Sequence, residues 1–417
     1  MCVPVPAVSH VRSLLETHLP ALRPAQHRGL AEWVAGVLAT GSGGEAAILA
    51  ALAPLGVEPQ ALRARLREFL YDGAERAAPC AVSLDVEACF APLLAWIVDW
   101  WEGEPLPLAI DATSLRDRQV VLSLSVLYRG SAMPVAWVVL PHRGKGAWIP
   151  ELERLRQTLA PAVSPTMTVL VMTDRGLWSP RWWRQMVDLG WHPLMRIRPD
   201  ATFAPSGQRR QPAREFVPGP GCCGVGPGLA FKEKAKQLAA TLLVVWGKDQ
   251  REPWLLLTDL PPDAVNGSWY GLRVWIELGF RALKSMGWHW ERTRRTNPTR
   301  IARHWLVLAV ATLLSLAVGT RLEDAAQQGI PPGHLRRPRS HTPPPARARR
   351  GSLFTRGRDW VRAWVWRGRA WWRALWLWPE ALPTLPTSLT LIRQQPPPAA
   401  AHASYLPLSA ERGRYEA

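Results

Sequence analysis

The chain has 417 residues, 51 Lys+Arg against 33 Asp+Glu for a net charge of +18, 47% hydrophobic residues and 24 tryptophans. That length gives room for about two to four domains with a substantial core, and the charge favours a polyanionic partner, either nucleic acid or an anionic membrane surface. The five cysteines (Cys2, Cys80, Cys89 and the adjacent Cys222 and Cys223) contain no Cys-x2-Cys pair, which argues against a disulfide framework and a structural zinc site.

In chain order, residues 1–104 read as a helical N-terminal domain, with helical apolar spacing in Val11–Leu15 and Leu62–Leu70 and a break at Gly41-Ser42-Gly43-Gly44. DNA binding and plain helical packing are both open for it. Met1 to Pro6 lacks the basic-then-apolar pattern of a signal peptide. Residues 105–199 change character. The apolar run Leu106–Ile110 ends in Asp111-Ala112-Thr113-Ser114. Gln119–Tyr128, a turn at Arg129-Gly130-Ser131, and Met133–Leu140 then predict an antiparallel meander. A helix over Trp148–Ala160, a strand over Thr168–Met172 ending in Thr173-Asp174-Arg175-Gly176, a helix over Pro180–Leu189 and a strand over Pro193–Ile197 complete the order β-β-β-α-β-α-β.

Residues 200–257 interrupt that pattern. Thr241–Trp246 and Trp254–Thr258 predict strands, while 207–210 and the Gly/Pro-rich stretch around the vicinal cysteines predict surface loops with free thiols. Residues 258–322 carry the run from Trp269 to Lys284, then an uncharged stretch from Trp305 to Thr320. That stretch is shorter than the roughly 20 residues a membrane span needs and is flanked by charge, which predicts a buried core helix. Residues 323–417 form a basic Pro/Arg/Trp-rich tail: a proline-rich linker expected to be disordered, a helix with Trp360, Trp364, Trp371 and Trp378 on one face, and an unstructured end. The tail's arginines can neutralise phosphates. Its indoles can stack on unpaired bases, or bury against the core or a second protomer.

The run in 258–322 has the spacing Tyr270-x2-Arg273-x3-Glu277-x6-Lys284. At 3.6 residues per turn these four positions share one face of a helix. A carboxylate there can hold a divalent metal, and cations beside it can hold a phosphate. Together with the Asp111 and Asp174 segments upstream, and in the same order, the run resembles the signature of the DDE transposases of bacterial insertion sequences, over roughly residues 106–320. The resemblance implies an α/β fold: an RNase-H-like catalytic core (mixed sheet flanked by helices) in 105–199 and 258–322, split by a mainly β insertion at 200–257. An N-terminal helical domain that can recognise transposon ends and a basic C-terminal extension flank it. Asp111, Asp174 and Glu277 would be catalytic and hold two Mg2+ ions, with Mn2+ able to substitute. Tyr270, Arg273, Lys284 and Arg175 would bind DNA.

The function so implied is metal-dependent cleavage at transposon ends and strand transfer into target DNA, a cut-and-paste transposition. The partners would be double-stranded DNA, as terminal inverted repeats and target, and a second copy of the chain in a synaptic homodimer. The location would be cytoplasmic and nucleoid-associated, away from membranes. Trp246 and Trp254 are candidates, by position, for the tryptophan that stacks on a flipped base in hairpin-forming relatives. Asp259 also ends a predicted strand and is the best substitute for a triad member. Two rival readings are a non-catalytic DNA-binding protein derived from a decayed or domesticated transposase, and a membrane-surface protein using the Arg/Trp helix.

Overall fold

The computed structural model describes residues 5–53, 58–72, 83–115, 118–142, 148–177, 179–332, 335–337, 351–367 and 375–393. The N-terminal segment folds as α1 (Val5–His18), α2 (Pro24–Thr40), α3 (Glu45–Leu52), α4 (Pro59–Leu70) and α5 (Phe90–Val98). Pro24 opens α2 at a position where a missing N–H costs nothing. The predicted break at residues 41–44 turns the chain by 87° into α3. Helix α2 is the hub, buried without interruption from Leu30 to Ala39, and its Trp33 Nε1 donates to Leu66 O of α4 at 2.8 Å. These helices share a single buried cluster with the rest of the chain.

β1 (Leu106–Leu115), β2 (Gln119–Tyr128) and β3 (Ser131–Pro141) form the predicted antiparallel meander. Crossover helices α6 (Trp148–Leu159) and α7 (Pro180–Asp188) then deliver β4 (Val169–Thr173) and β5 (Trp191–Arg196), parallel to β1. Leu152, Leu155 and Leu159, spaced for one helical face, are the buried residues of α6. The order β-β-β-α-β-α-β read from the sequence is the order observed. β6 (Thr202–Pro205), β7 (Gln211–Pro212), β8 (Cys222–Ala230), β9 (Leu238–Trp246) and β10 (Trp254–Thr258) extend this same sheet, giving the order β3-β2-β1-β4-β5-β10-β9-β8-β6-β7.

The vicinal cysteines therefore do not lie in a loop. Cys222 and Cys223 begin β8, a strand hidden from sequence reading by Gly224, Gly226, Pro227 and Gly228. The reason is close backbone approach: a Cβ on Gly228 would lie 2.2 Å from Ala204 O on neighbouring β6.

After β10 come α8 (Val274–Leu283), α9 (Pro298–Gln328), α10 (Leu353–Arg367) and β11 (Thr390–Arg393). Helix α9 is long and apolar enough to cross a membrane, yet 94% of its apolar window is buried inside the protein, as the core-helix expectation requires. The tail differs from its prediction. Residues 338–350, most of the expected linker, and Trp371 lie outside the described residues. The described parts of the tail are docked on the core. α10 seats Leu353, Phe354, Val361 and Val365 there, and Trp360 and Trp364 stack at its half-buried side. Trp378 is not on that helix. It lies in an extended strap, where it and Trp376 both donate indole N–H groups to Asp324 Oδ2 at 2.8 and 2.7 Å. The strap continues through the Glu380–Arg129 ion pair (3.0 Å) and ends as β11, paired in parallel with the start of β8.

Helices α9 and α10 touch backbone to backbone. A Cβ on Gly357 would stand 1.8 Å from Ser315 O. Gly357→Ala, which elsewhere in a helix gains about 1 kcal/mol, is therefore expected to destabilise by about 2 kcal/mol or more through overpacking. Thermal unfolding checks this, and an unchanged midpoint contradicts the close approach of the two helices.

Candidate active site

Strand register brings the two aspartates together. Ala109 of β1 pairs with Met172 of β4, so two residues further on Asp111 stands level with Asp174. Thr173 pairs with Met195 of β5, so Arg196 comes level with Asp174 by the same reasoning. Three adjacent parallel strands thus present Asp, Asp and Arg at one level, where β4 and β5 end; β1 does not stop at Asp111, as its apolar run suggests, but continues paired with β2 to Leu115.

The element above them is not the single helix face that the spacing predicts. Tyr270 and Arg273 belong to a 3-10 segment, Gly267–Arg273, started by Asn266, whose side chain accepts from Ser268 N at 2.9 Å. Only Glu277 is inside α8, and Lys284 follows its end with non-helical φ −97° and ψ −130°. A 3-10 turn advances 120° per residue instead of 100°, so the four side chains fan out over the strand ends.

Arg273 stands at the centre of the carboxylates. Its Nη2 is 2.8 Å from Asp111 Oδ2 and 3.7 Å from Asp174 Oδ2, and its Nη1 is 3.2 Å from Glu277 Oε1. Asp174 also accepts from Gly176 N at 2.9 Å, and Asp111 from Ala112 N at 2.8 Å. Burial raises the Asp111 carboxyl above the usual Asp range, against the pull of Arg273 and with the push of Asp174 and Glu277. Burial works against the charge on Arg273, but Asp111, Tyr270, Asp174 and Glu277 together outweigh it and raise its pKa.

The other predicted contacts fall around this centre. Tyr270 is buried, and its hydroxyl donates to Thr173 O at 3.1 Å, which ties the 3-10 segment to the residue before Asp174. Burial pushes Tyr270 up to about 12, so it remains a phenol at neutral pH. Lys284 Nζ donates to Ser114 O at 2.8 Å, and burial lowers its pKa against the influence of Glu291. Arg175 reaches outward to Glu252 at 3.1 Å. Trp254 meets Tyr270 edge-on at 5.4 Å, whereas Trp246 donates to Gln250 O at 2.9 Å. Asp259 is not near the cluster. It follows β10, antiparallel to β5, and pairs with His192 at 2.9 Å toward the start of β5.

Arg196 went unremarked in the sequence. Burial and the positive charge of Arg175 lower its pKa, so it adds a partly desolvated cation beside the carboxylates. A charged residue closing the apolar strand Trp191–Arg196 was the available signal. A second omission is a pocket of about 240 Å³ beyond the end of β1, lined by Leu115, Arg118, Glu291, Arg294, Arg295 and Thr296.

The donor set is three carboxylates with no thiolate or imidazole, which suits Mg2+ or Mn2+. Among the described residues no three acidic, His or Cys side chains are already gathered to hold a metal ion. The carboxylates do converge on one cation, however, the guanidinium that lies within 4 Å of all three. Their chemistry suits a divalent ion, while the cation they are gathered around is Arg273.

The sequence model of the Transposase DDE domain family matches residues 102–314, just over half of the chain and a span that contains Asp111, Asp174 and Glu277. A search of curated proteins gives no match. Among solved structures the chain is similar to the piggyBac transposase synaptic complex with hairpin DNA (SNHP), determined by cryo-EM. The identity is 11%, over 87% of this chain and 78% of that one, with a TM-score of 0.39.

Proposed function

The chain belongs to the Transposase DDE domain family, and from that premise we propose that it cuts and rejoins DNA by divalent-metal chemistry at Asp111, Asp174 and Glu277, moving an insertion sequence by cut-and-paste. The observation that carries this is the convergence of three carboxylates, from the middle of β1, the end of β4 and helix α8, on a single cation position. The strand order β3-β2-β1-β4-β5, antiparallel then parallel, supports reading the core as RNase-H-like, with β6 to β10 as its β extension.

Asp111, Asp174 and Glu277 would hold two Mg2+ ions, for which Mn2+ can substitute. Such a pair supplies activation of the attacking oxygen and stabilisation of the leaving one. Tyr270 holds the end of β4 through Thr173 and so fixes Asp174. Lys284 on Ser114 O, Arg175 on Glu252 and Arg196 at the end of β5 add positive charge on the segments that carry the carboxylates, which suits a phosphate backbone drawn against three acids. The partners are the terminal inverted repeats, target DNA and a second copy of the chain in a synaptic dimer, in the cytoplasm at the nucleoid.

The arginine-lined pocket beyond β1 extends this basic surface. Arg118 and Arg294 are exposed, and the DNA backbone is expected to pass over them. Replacing either by Ala should reduce the slope of log affinity against log salt by about 0.9 for each phosphate no longer neutralised. Slopes equal to wild type for both would remove them from the DNA path.

The function is tested with a duplex carrying the inverted repeats that flank the gene. Cleavage at the repeat boundary with Mg2+, and none with a chelator, is expected. Binding without cleavage under any divalent ion would favour the non-catalytic alternative.

A further inference from the structure

We propose that Arg273 is a displaceable counter-ion of the three carboxylates: it and a divalent ion occupy the site in turn, and a DNA phosphate releases the site by drawing the guanidinium away. This rests on reading Asp111, Asp174 and Glu277 as metal ligands, and adds the condition under which they bind metal.

The geometry carries it. Arg273 Nη2 lies 2.8 Å from Asp111 and 3.7 Å from Asp174, and Nη1 lies 3.2 Å from Glu277. The hydrogen-bond partners of the guanidinium among the described residues are all carboxylates, and its Nε is buried without an acceptor. A divalent ion bound to the same oxygens at about 2.0–2.1 Å would share this space with a fixed positive charge. The two cations repel and compete for the same lone pairs, so occupancy by one weakens the other.

Arg273 has somewhere to go. Its own side chain is 12% exposed, but the Asp174 and Glu277 side chains beside it are 42% and 53% exposed, so the cluster opens to solvent on that side. A phosphate arriving there offers the planar fork two parallel acceptors without losing its charge partner. DNA and metal then reinforce one another: DNA removes the competitor of the metal, and by linkage the metal favours the DNA-bound position of Arg273. Without DNA Arg273 offsets part of the negative charge of the three carboxylates and holds them together in the absence of metal.

Calorimetric titration of Mn2+ into the full-length protein tests this, with Asp111→Asn marking which binding event belongs to the site. In the absence of DNA, Arg273→Gln is expected to bind Mn2+ about tenfold more tightly than wild type. Arg273→Lys keeps the charge but loses the fork, and should fall between them. Duplex carrying the flanking inverted repeats should tighten Mn2+ binding to wild type about tenfold and to Arg273→Gln far less. Melting gives a second readout: metal-free Arg273→Gln should unfold below wild type, and Mn2+ should raise its midpoint by more.

Equal or weaker Mn2+ binding by Arg273→Gln, with the site still abolished by Asp111→Asn, overturns the exchange and leaves the ligand assignment standing. Should Arg273→Gln not fold, unchanged affinity in Arg273→Lys has the same force. An Mn2+ affinity of wild type that DNA does not alter overturns the role of the phosphate. If no Mn2+ binding event is sensitive to Asp111→Asn, the ligand assignment fails and the exchange with it.

Discussion

Asp111→Asn, Asp174→Asn and Glu277→Gln should each lower Mg2+-dependent cleavage at a transposon end by about a thousandfold. A metal site supplies several kcal/mol of stabilisation to the charge that builds up in an in-line displacement at phosphorus, and about 4 kcal/mol corresponds to three decades of rate. Without divalent metal the same variants should bind DNA as well as wild type or slightly better, because each removes a negative charge from a surface that receives phosphates. Single-turnover cleavage and a binding assay on the same preparations separate the two effects. Loss of binding in parallel with cleavage would mean that these carboxylates support the fold. Full cleavage by any one of them would remove that residue from the chemistry. Asp111 carries a further consequence. Because burial raises its pKa, metal binding should be lost on acidification at a higher pH than for an ordinary Asp, and Asp111→Asn should remove that dependence together with the site.

Truncation after Gln328 is expected to prevent folding. The removed segment contains Leu353, Phe354, Val361, Val365, Trp376 and Leu377, each at most 3% exposed. At about 1.5–3 kcal/mol for each buried side chain, the loss is on the order of 10 kcal/mol, comparable with the whole stability of a typical domain. The deletion also strips Asp324 of two indole donors and leaves buried Arg129 without Glu380. It opens the edge of β8 that β11 covers. The truncated chain should show no cooperative thermal transition. A soluble product with an unchanged midpoint and only reduced DNA affinity would restore the tail to the role of a DNA arm.

The parts legible in the sequence are those where local pattern and tertiary outcome agree. β-branched runs and helical leucine spacing gave β1 to β5 and α6, and each aspartate stands where an apolar run stops. Other features depend on contacts the sequence does not display. The 3-10 form of Gly267–Arg273 is set by the Asn266 cap and by the bond from Tyr270 to Thr173, 97 residues away. β8 is spelled in glycines because β6 presses against it. The tail has the composition of a disordered segment, but Val361, Val365 and the two indoles on Asp324 find partners on elements far earlier in the chain. Spacing also said nothing of Arg273 reaching Asp111 across 162 residues. It placed the arginine in the right neighbourhood and missed its partner in the structure.

The most direct test of the central claim is anomalous diffraction from crystals of the protein with its transposon-end DNA and Mn2+. The account predicts manganese density within coordinating distance, about 2.0–2.2 Å, of carboxylate oxygens of Asp111, Asp174 and Glu277, beside a DNA phosphate and with Arg273 turned toward that phosphate. Manganese bound elsewhere at the cleaved phosphate, with these three side chains still closed on Arg273, would contradict it.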